Sequence, residues 1–209
     1  MVTITQLFPT FAATLGLAEE SITQRARFLR EAGYLPATVG KRLAYATPRH
    51  VASLLAAILV DDRVIYTGTA GEIAHSLRAK NYECNAEKVA TPEPGAIFGL
   101  APNHSFVDGL EALIARATQG DIIGPSGFPI EPISVSVERP WAHGRISFRD
   151  AAFTLQIDYE PPLPNDVTDH VAIAAAMNAR FGGGDLHTKR RIGSTTIYEL
   201  GAAMTGRTE

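Results

Sequence analysis

One cysteine, Cys84, stands in a chain of 209 residues. That excludes an intrachain disulfide and any zinc site built from several thiolates, and it fits a reducing compartment. No basic and apolar leader opens the chain, and no apolar run approaches the ~20 residues that cross a bilayer. A cytoplasmic protein without a membrane partner is therefore expected. The glycine-rich stretches GDIIGPSG and FGGGD lack the Gly-Lys-Ser/Thr ending of a phosphate-cradling loop and the strand-glycine-helix setting of a dinucleotide site, so they read as loops. His104, Ser105 and Asp108 are neighbours in sequence, but no G-x-S-x-G elbow is present, and helix capping accounts better for Ser105 and Asp108. Asp166 and His170 have no third ligand at a recognisable spacing, so a hydrogen bond on a helix surface is the expected role. No internal repeat is visible. The chain is expected to carry no catalytic residues, no cofactor and no metal.

What is present is ample core-forming material, 45% hydrophobic, and an uneven distribution of charge. The formal net charge is −3, yet residues 1–60 hold six basic groups (Arg25, Arg27, Arg30, Lys41, Arg42, Arg49) against three acidic ones (Glu19, Glu20, Glu31). A basic N-terminal unit on an acidic body is the footprint of a local polyanion contact, and equally of chance variation in surface charge.

The N-terminal pattern is a succession of short helices. Pro9 belongs in the first turn of a helix running to about Leu15, stopped by Gly16. Ser21 and Gln24 have the spacing of a capping box, which predicts a second helix starting there. Ile22, Ala26 and Leu29 form its buried stripe and leave Thr23, Gln24, Arg27 and Arg30 on the opposite side, and Arg25 of the same helix is counted with them as a candidate DNA contact. Gly33 permits a left-handed cap, and Pro36 prevents the helix from resuming. Residues that donate and accept at base edges, with arginines suited to guanine or phosphate, make that face a candidate reading head. It has also the composition of an ordinary solvated helix. Val39-Gly40-Lys41-Arg42 adds a flexible turn with two adjacent charges, and Thr47 and Pro48 then open a third helix with Arg49 in its first turn and Val51, Leu54, Leu55 and Ile58 as its core stripe.

The order of short helix, turn, arginine-containing helix, REAGYLP exit, basic ribbon and TPRHVASLLAAI resembles the winged helix-turn-helix of MerR-type regulators and the related excisionase-like phage proteins. The match covers about residues 3 to 60. The turn LGLAEES is longer than the tight one of MerR proteins, and neither a long coiled-coil helix nor a metal-binding cysteine set follows, so metal sensing is not implied. The resemblance implies sequence-specific binding of double-stranded DNA, as in a phage or prophage transcriptional regulator. The alternative is a small-terminase-like packaging protein or an assembly adaptor.

Beyond Asp61 and Asp62, VIYTG reads as a short strand and AGEIAHSLRAKNY as a helix with Ile73 and Leu77 inward. TPEPG at 91–95 marks a loop or boundary. Ser105 caps a helix carrying Phe106, Leu110, Leu113 and Ile114, which ends at Gly120. Alternation at Ile133, Val135 and Val137, at Ile146 and Phe148, and at Phe153, Leu155, Ile157 and Tyr159 predicts a small antiparallel meander joined by ERPWAHG, which holds Trp141, and by RDA. NDVTDHVAIAAAMNARF reads as a helix. Lys189, Arg190 and Arg191 precede a short C-terminal helix and are a candidate second phosphate contact, or a solvated tail.

The expected architecture is thus α+β, an N-terminal winged helix-turn-helix (1–62), a connecting helical segment (63–95) and a mixed body (96–209) with the meander. The body is expected to supply assembly as a homodimer or higher homo-oligomer.

Overall fold

A computed structural model describes residues 2–37, 44–61, 63–86, 98–120, 122–123, 130–139, 142–149, 153–162 and 188–206. Helices α1 (Phe8–Leu15), α2 (Glu19–Glu31), α3 (Pro48–Val60) and α4 (Thr67–Ser76) come first, then strand β1 (Arg78–Ala86) and helix α5 (Phe106–Ala117). Strands β2 (Ile133–Arg139), β3 (His143–Arg149), β4 (Phe153–Glu160) and β5 (Thr188–Gly193) follow, and α6 (Ser194–Thr205) closes the described chain. The expected helix at NDVTDHVAIAAAMNARF, with Asp166 and His170, lies outside the described residues. So do TPEPG, FGGGD, Trp141 and all but the first glycine and Ile122-Ile123 of GDIIGPSG.

Most helix limits follow their local chemistry. Pro9 lies in the first turn of α1, and Gly16 ends it with a φ of 63°, a left-handed conformation that costs a Cβ-bearing residue more. Thr47 caps α3, its hydroxyl accepting from the His50 amide while the His50 ring accepts from the Thr47 amide. Ser105 and Asp108 form the reciprocal box on α5, as the spacing predicts. Two limits differ. Helix α2 begins at Glu19 and not at Ser21; Ala18 precedes it with no side-chain cap, and Glu19 and Glu20 instead place negative charge on the positive helix end. VIYTG is no strand. Val64–Tyr66 is a single 3-10 turn that runs directly into α4, and α4 stops at Ser76, so that Arg78 onward becomes β1.

Helix α3 is the centre of the molecule. No residue from Val51 to Val60 is more than 6% exposed, because α2, α4 and α5 pack around it and β2 and β5 lie beneath it. A core stripe of four residues is therefore an underestimate: the helix is apolar all round because it is covered all round. The N-terminal helices and the sheet share one hydrophobic core, and α6 packs against both α5 and α1. The 1–62 unit read from the sequence is continuous in its packing with the rest.

The sheet is antiparallel throughout, in the order β1-β4-β3-β2-β5. The predicted meander β2-β3-β4 is its middle. Its buried hydrophobic side chains, Ile133, Val135, Val137, Ile146, Phe148, Leu155, Ile157 and Tyr159, fall on the period-two alternation, while Ser136 and Asp158 are buried polar members of the same strands. β1 is added beside β4 and β5 beside β2, so the basic run Lys189 to Arg191 belongs to a strand and not to a tail.

Candidate nucleic-acid interface

Helix α2 is two-sided. Ile22, Ala26 and Leu29 are fully buried, a stripe whose two large side chains contribute roughly 1.5–3 kcal/mol each by leaving water. Thr23, Gln24 and Arg27 are exposed on other sides of the same helix. The turn at Gly16 to Ala18 feeds α2 directly from α1, against which it packs. At the far end Tyr34 and Leu35 return their amides to the Leu29 carbonyl, and Gly33 takes a φ of 82°, so the chain leaves the helix abruptly.

The side chains differ in what they have to offer. The Thr23 hydroxyl donates back to the Glu19 carbonyl at 3.0 Å, and the Gln24 carboxamide reaches Glu20 at 3.5 Å. Arg27 lies over the Phe28 ring and makes a solvent-exposed pair with Glu31 at 3.5 Å, an interaction worth only about 0.3–0.5 kcal/mol and readily exchanged for another anion. Arg30 is half-buried, and its Nε has no hydrogen-bond partner among the described residues. Glu19 and Glu20 make the start of α2 acidic, so a polyanion is favoured at the Arg27 end.

Several residues of the expected basic set are used inside the molecule. Arg25 is only 2% exposed; its Nη1 donates to the Asp61 carbonyl at 2.8 Å, which terminates α3. It does not belong to the outward face. Arg190 likewise points inward and donates to the Ile58 carbonyl at 2.8 Å, so two arginines from distant parts of the chain hold the negative end of the same helix. Arg49 forms a charge pair with Asp108 and donates to Glu111 at 3.1 Å. Lys189 is paired with Glu138 across β5 and β2, whereas Arg191 is exposed. Lys41 and Arg42 lie outside the described residues. The segment that carries them is bounded by the buried Leu35 and by Tyr45, where an isolated antiparallel bridge to Thr3 and a bond from the Ala46 amide to the Val2 carbonyl bring the chain back to its own beginning.

Comparison with protein-family models, with curated proteins and with solved structures finds no match to this chain.

A second polar cluster was not visible in the sequence, because its members come from three helices. The Ser53 hydroxyl lies 3.1 Å from Nε2 of His75, and Nδ1 of His75 lies 3.5 Å from Nη2 of Arg49. A guanidinium only donates, so Nδ1 is the accepting nitrogen and Nε2–H donates to Ser53. Tyr34 stacks on the imidazole at 4.5 Å between centroids. Burial first, and then the Arg49 charge, push His75 down to about 4. Burial would raise Asp108, but hydrogen bonds from Ser105 and Arg49 outweigh it and hold the carboxyl at about 2. The serine–histidine pair is not assembled as a nucleophile and base: a cation instead of a carboxylate faces Nδ1, and Ser53 is 1% exposed. His104, next to Ser105, accepts from the buried Tyr159 hydroxyl at 2.8 Å and donates to the Ala101 carbonyl at 2.7 Å, which makes it a core residue. Among the described residues no group of three or more His, Cys, Asp or Glu could hold a metal ion, and no helix is long and apolar enough to cross a membrane.

Proposed function

We propose that this chain binds double-stranded DNA through the exposed side of α2, as part of transcription regulation. The observation that carries the reading is the two-sidedness of α2: a rigid 13-residue helix anchored by Ile22, Ala26 and Leu29 presents Thr23, Gln24 and Arg27 to solvent. Side chains of those types match base edges in a major groove, which admits one helix. Arg30, with Lys41 and Arg42 from the sequence, supplies phosphate contacts. Arg25, Arg49 and Arg190 serve the fold in this reading and not the duplex. Arg191 on the exposed side of β5 stays as a candidate for a separate phosphate contact.

The test uses the full chain and a pool of duplexes in fluorescence anisotropy. Affinity falls steeply between about 50 and about 200 mM salt as bound cations displace counterions. Arg27→Ala lowers the preference for a selected site over random duplex by roughly 1–3 kcal/mol, while Lys41→Ala and Arg42→Ala weaken all sequences alike. Duplex retention no greater than that of a neutral polymer at low salt sinks the proposal.

A further inference from the structure

The end of α2 is held by a polar seat to which the proposed role gives no task. Tyr34, in the turn that leaves α2, lays its ring on the His75 imidazole of α4, with centroids 4.5 Å and planes 17° apart. One turn earlier on α4 stands Gly71, where a Cβ would come within 2.7 Å of Leu29 Cδ2 and 2.9 Å of Tyr34 Cδ2. Leu29 is fully buried, and its carbonyl accepts from the Tyr34 amide at 2.8 Å. The last turn of α2 and the Tyr34 ring thus rest on one face of α4, formed by Gly71 and His75, with no room for a side chain at Gly71.

The imidazole is itself fixed at both nitrogens, by Ser53 at 3.1 Å and by Arg49 at 3.5 Å. Arg49 is anchored in turn on α5, by Asp108 and, at 3.1 Å, by Glu111, and Asp108 is tied to the start of α5 by the Ser105 amide at 2.7 Å. Hydrogen bonds are directional, so two of them set the plane of the imidazole, and a ring stacked on it follows that plane. Only the neutral imidazole can accept from Arg49. The groups that bear on its charge are Tyr34 from the α2 exit, Arg49 and Ser53 from α3, Asp108 from α5 and Arg78 from β1, while Glu72 of α4 acts on Tyr34. Burial first and Arg49 next keep it neutral, against the pull of Asp108.

We infer that His75 is a positioning residue for base reading: it sets the Tyr34 ring, and through it the end of α2, in the place from which Thr23, Gln24 and Arg27 meet a groove. This rests on the reading of α2 above. Side chains that read base edges must be held within about 0.5 Å of their productive place, so a loosened seat costs sequence preference before it costs general affinity.

The test reads the ratio of affinity for a selected site to affinity for random duplex, with the full chain at about 100 mM salt and well below the urea midpoint of each variant. Tyr34→Leu and His75→Phe each lower the ratio about three- to tenfold and leave random-duplex affinity within about twofold. His75→Gln, whose amide can donate to Ser53 and accept from Arg49, and Tyr34→Phe, which keeps the stack, hold the ratio within about twofold of the unsubstituted chain. In the unsubstituted chain the ratio falls as pH drops from about 6 toward about 4.5, and in His75→Gln it stays level. In Arg49→Met, which lacks the cation facing Nδ1, the fall begins at a higher pH. Unchanged ratios in Tyr34→Leu and His75→Phe, while Arg27→Ala loses preference, make the seat packing alone and leave the α2 reading standing. A fall with acid of the same size in His75→Gln as in the unsubstituted chain also overturns the inference. No duplex binding by the unsubstituted protein removes the α2 reading and the positioning role together.

Discussion

Arg25 separates a folding role from a binding role in a single substitution. Its Nη1 bond to the Asp61 carbonyl is charge-assisted and buried, and bonds of that kind contribute about 1.5–3 kcal/mol. Arg25→Met keeps the aliphatic stem and most of the volume but leaves the Asp61 carbonyl at the end of α3 short of a donor. Relief from burying a guanidinium offsets part of the loss, whereas the Asp61 carboxylate keeps Arg63 and Arg139. The net expectation is about 2 kcal/mol of destabilisation, and Arg25→Ala adds a cavity for a total of about 3–4 kcal/mol. With a urea slope on the order of 2 kcal/mol/M, Arg25→Met moves the midpoint down by about 1 M at unchanged slope. Well below that midpoint, duplex affinity of the substituted chain stays within about twofold of the unsubstituted one, since no contact is lost. A midpoint that does not move, together with a tenfold loss of duplex affinity, would refute the placement of Arg25 in the core and return it to the outward face.

Two further outcomes concern stability. A Cβ at Gly201 would lie 2.5 Å from Ala117 Cβ and 2.7 Å from its carbonyl carbon, so Gly201→Ala forces α6 off α5; a cost of about 1–3 kcal/mol lowers Tm by several degrees, and an unchanged Tm contradicts the close approach of the two helices. His75 and His104 are both lowered by burial, which means the unfolded chain takes up protons that the folded chain refuses; stability is full above about pH 6.5 and declines as pH falls from there toward 4. The His75 part is about 2 kcal/mol after allowing for its partial exposure, and urea midpoints across that range that stay flat, or that fall equally in His75→Gln, count against it.

What the sequence disclosed were the features whose partners are near in the chain. Gly16, Thr47 with Pro48, and Ser105 with Asp108 each act within a few residues of themselves, and the alternation in β2, β3 and β4 states which side of a strand is buried. Ser21 was a sound cap by spacing, but two glutamates and tertiary packing start α2 earlier. Arg25 and Arg190 resemble surface cations because the carbonyls that receive them are 36 and 132 residues away. Ser53, His75 and Arg49 meet only after α3 and α4 pack, so their tautomer and charge state have no local signature. β1 hides its strand character in RAKNYECNA, an edge segment whose charges face water.

The burial of α3 bears on how such a protein can change over evolutionary time. A reading head that folds alone is a cassette, free to be cut out by recombination and joined to a new partner. Here α3 also packs on β2 and β5 of the sheet, and its final turn is fastened by Arg25 from one side and Arg190 from the other. A junction at residue 62 would strip cover from ten consecutive buried residues at once. In the proposed DNA-binding role, new target preferences arise by substitution on the outer side of α2, in place, while the N-terminal helices and the sheet travel together as one inherited unit.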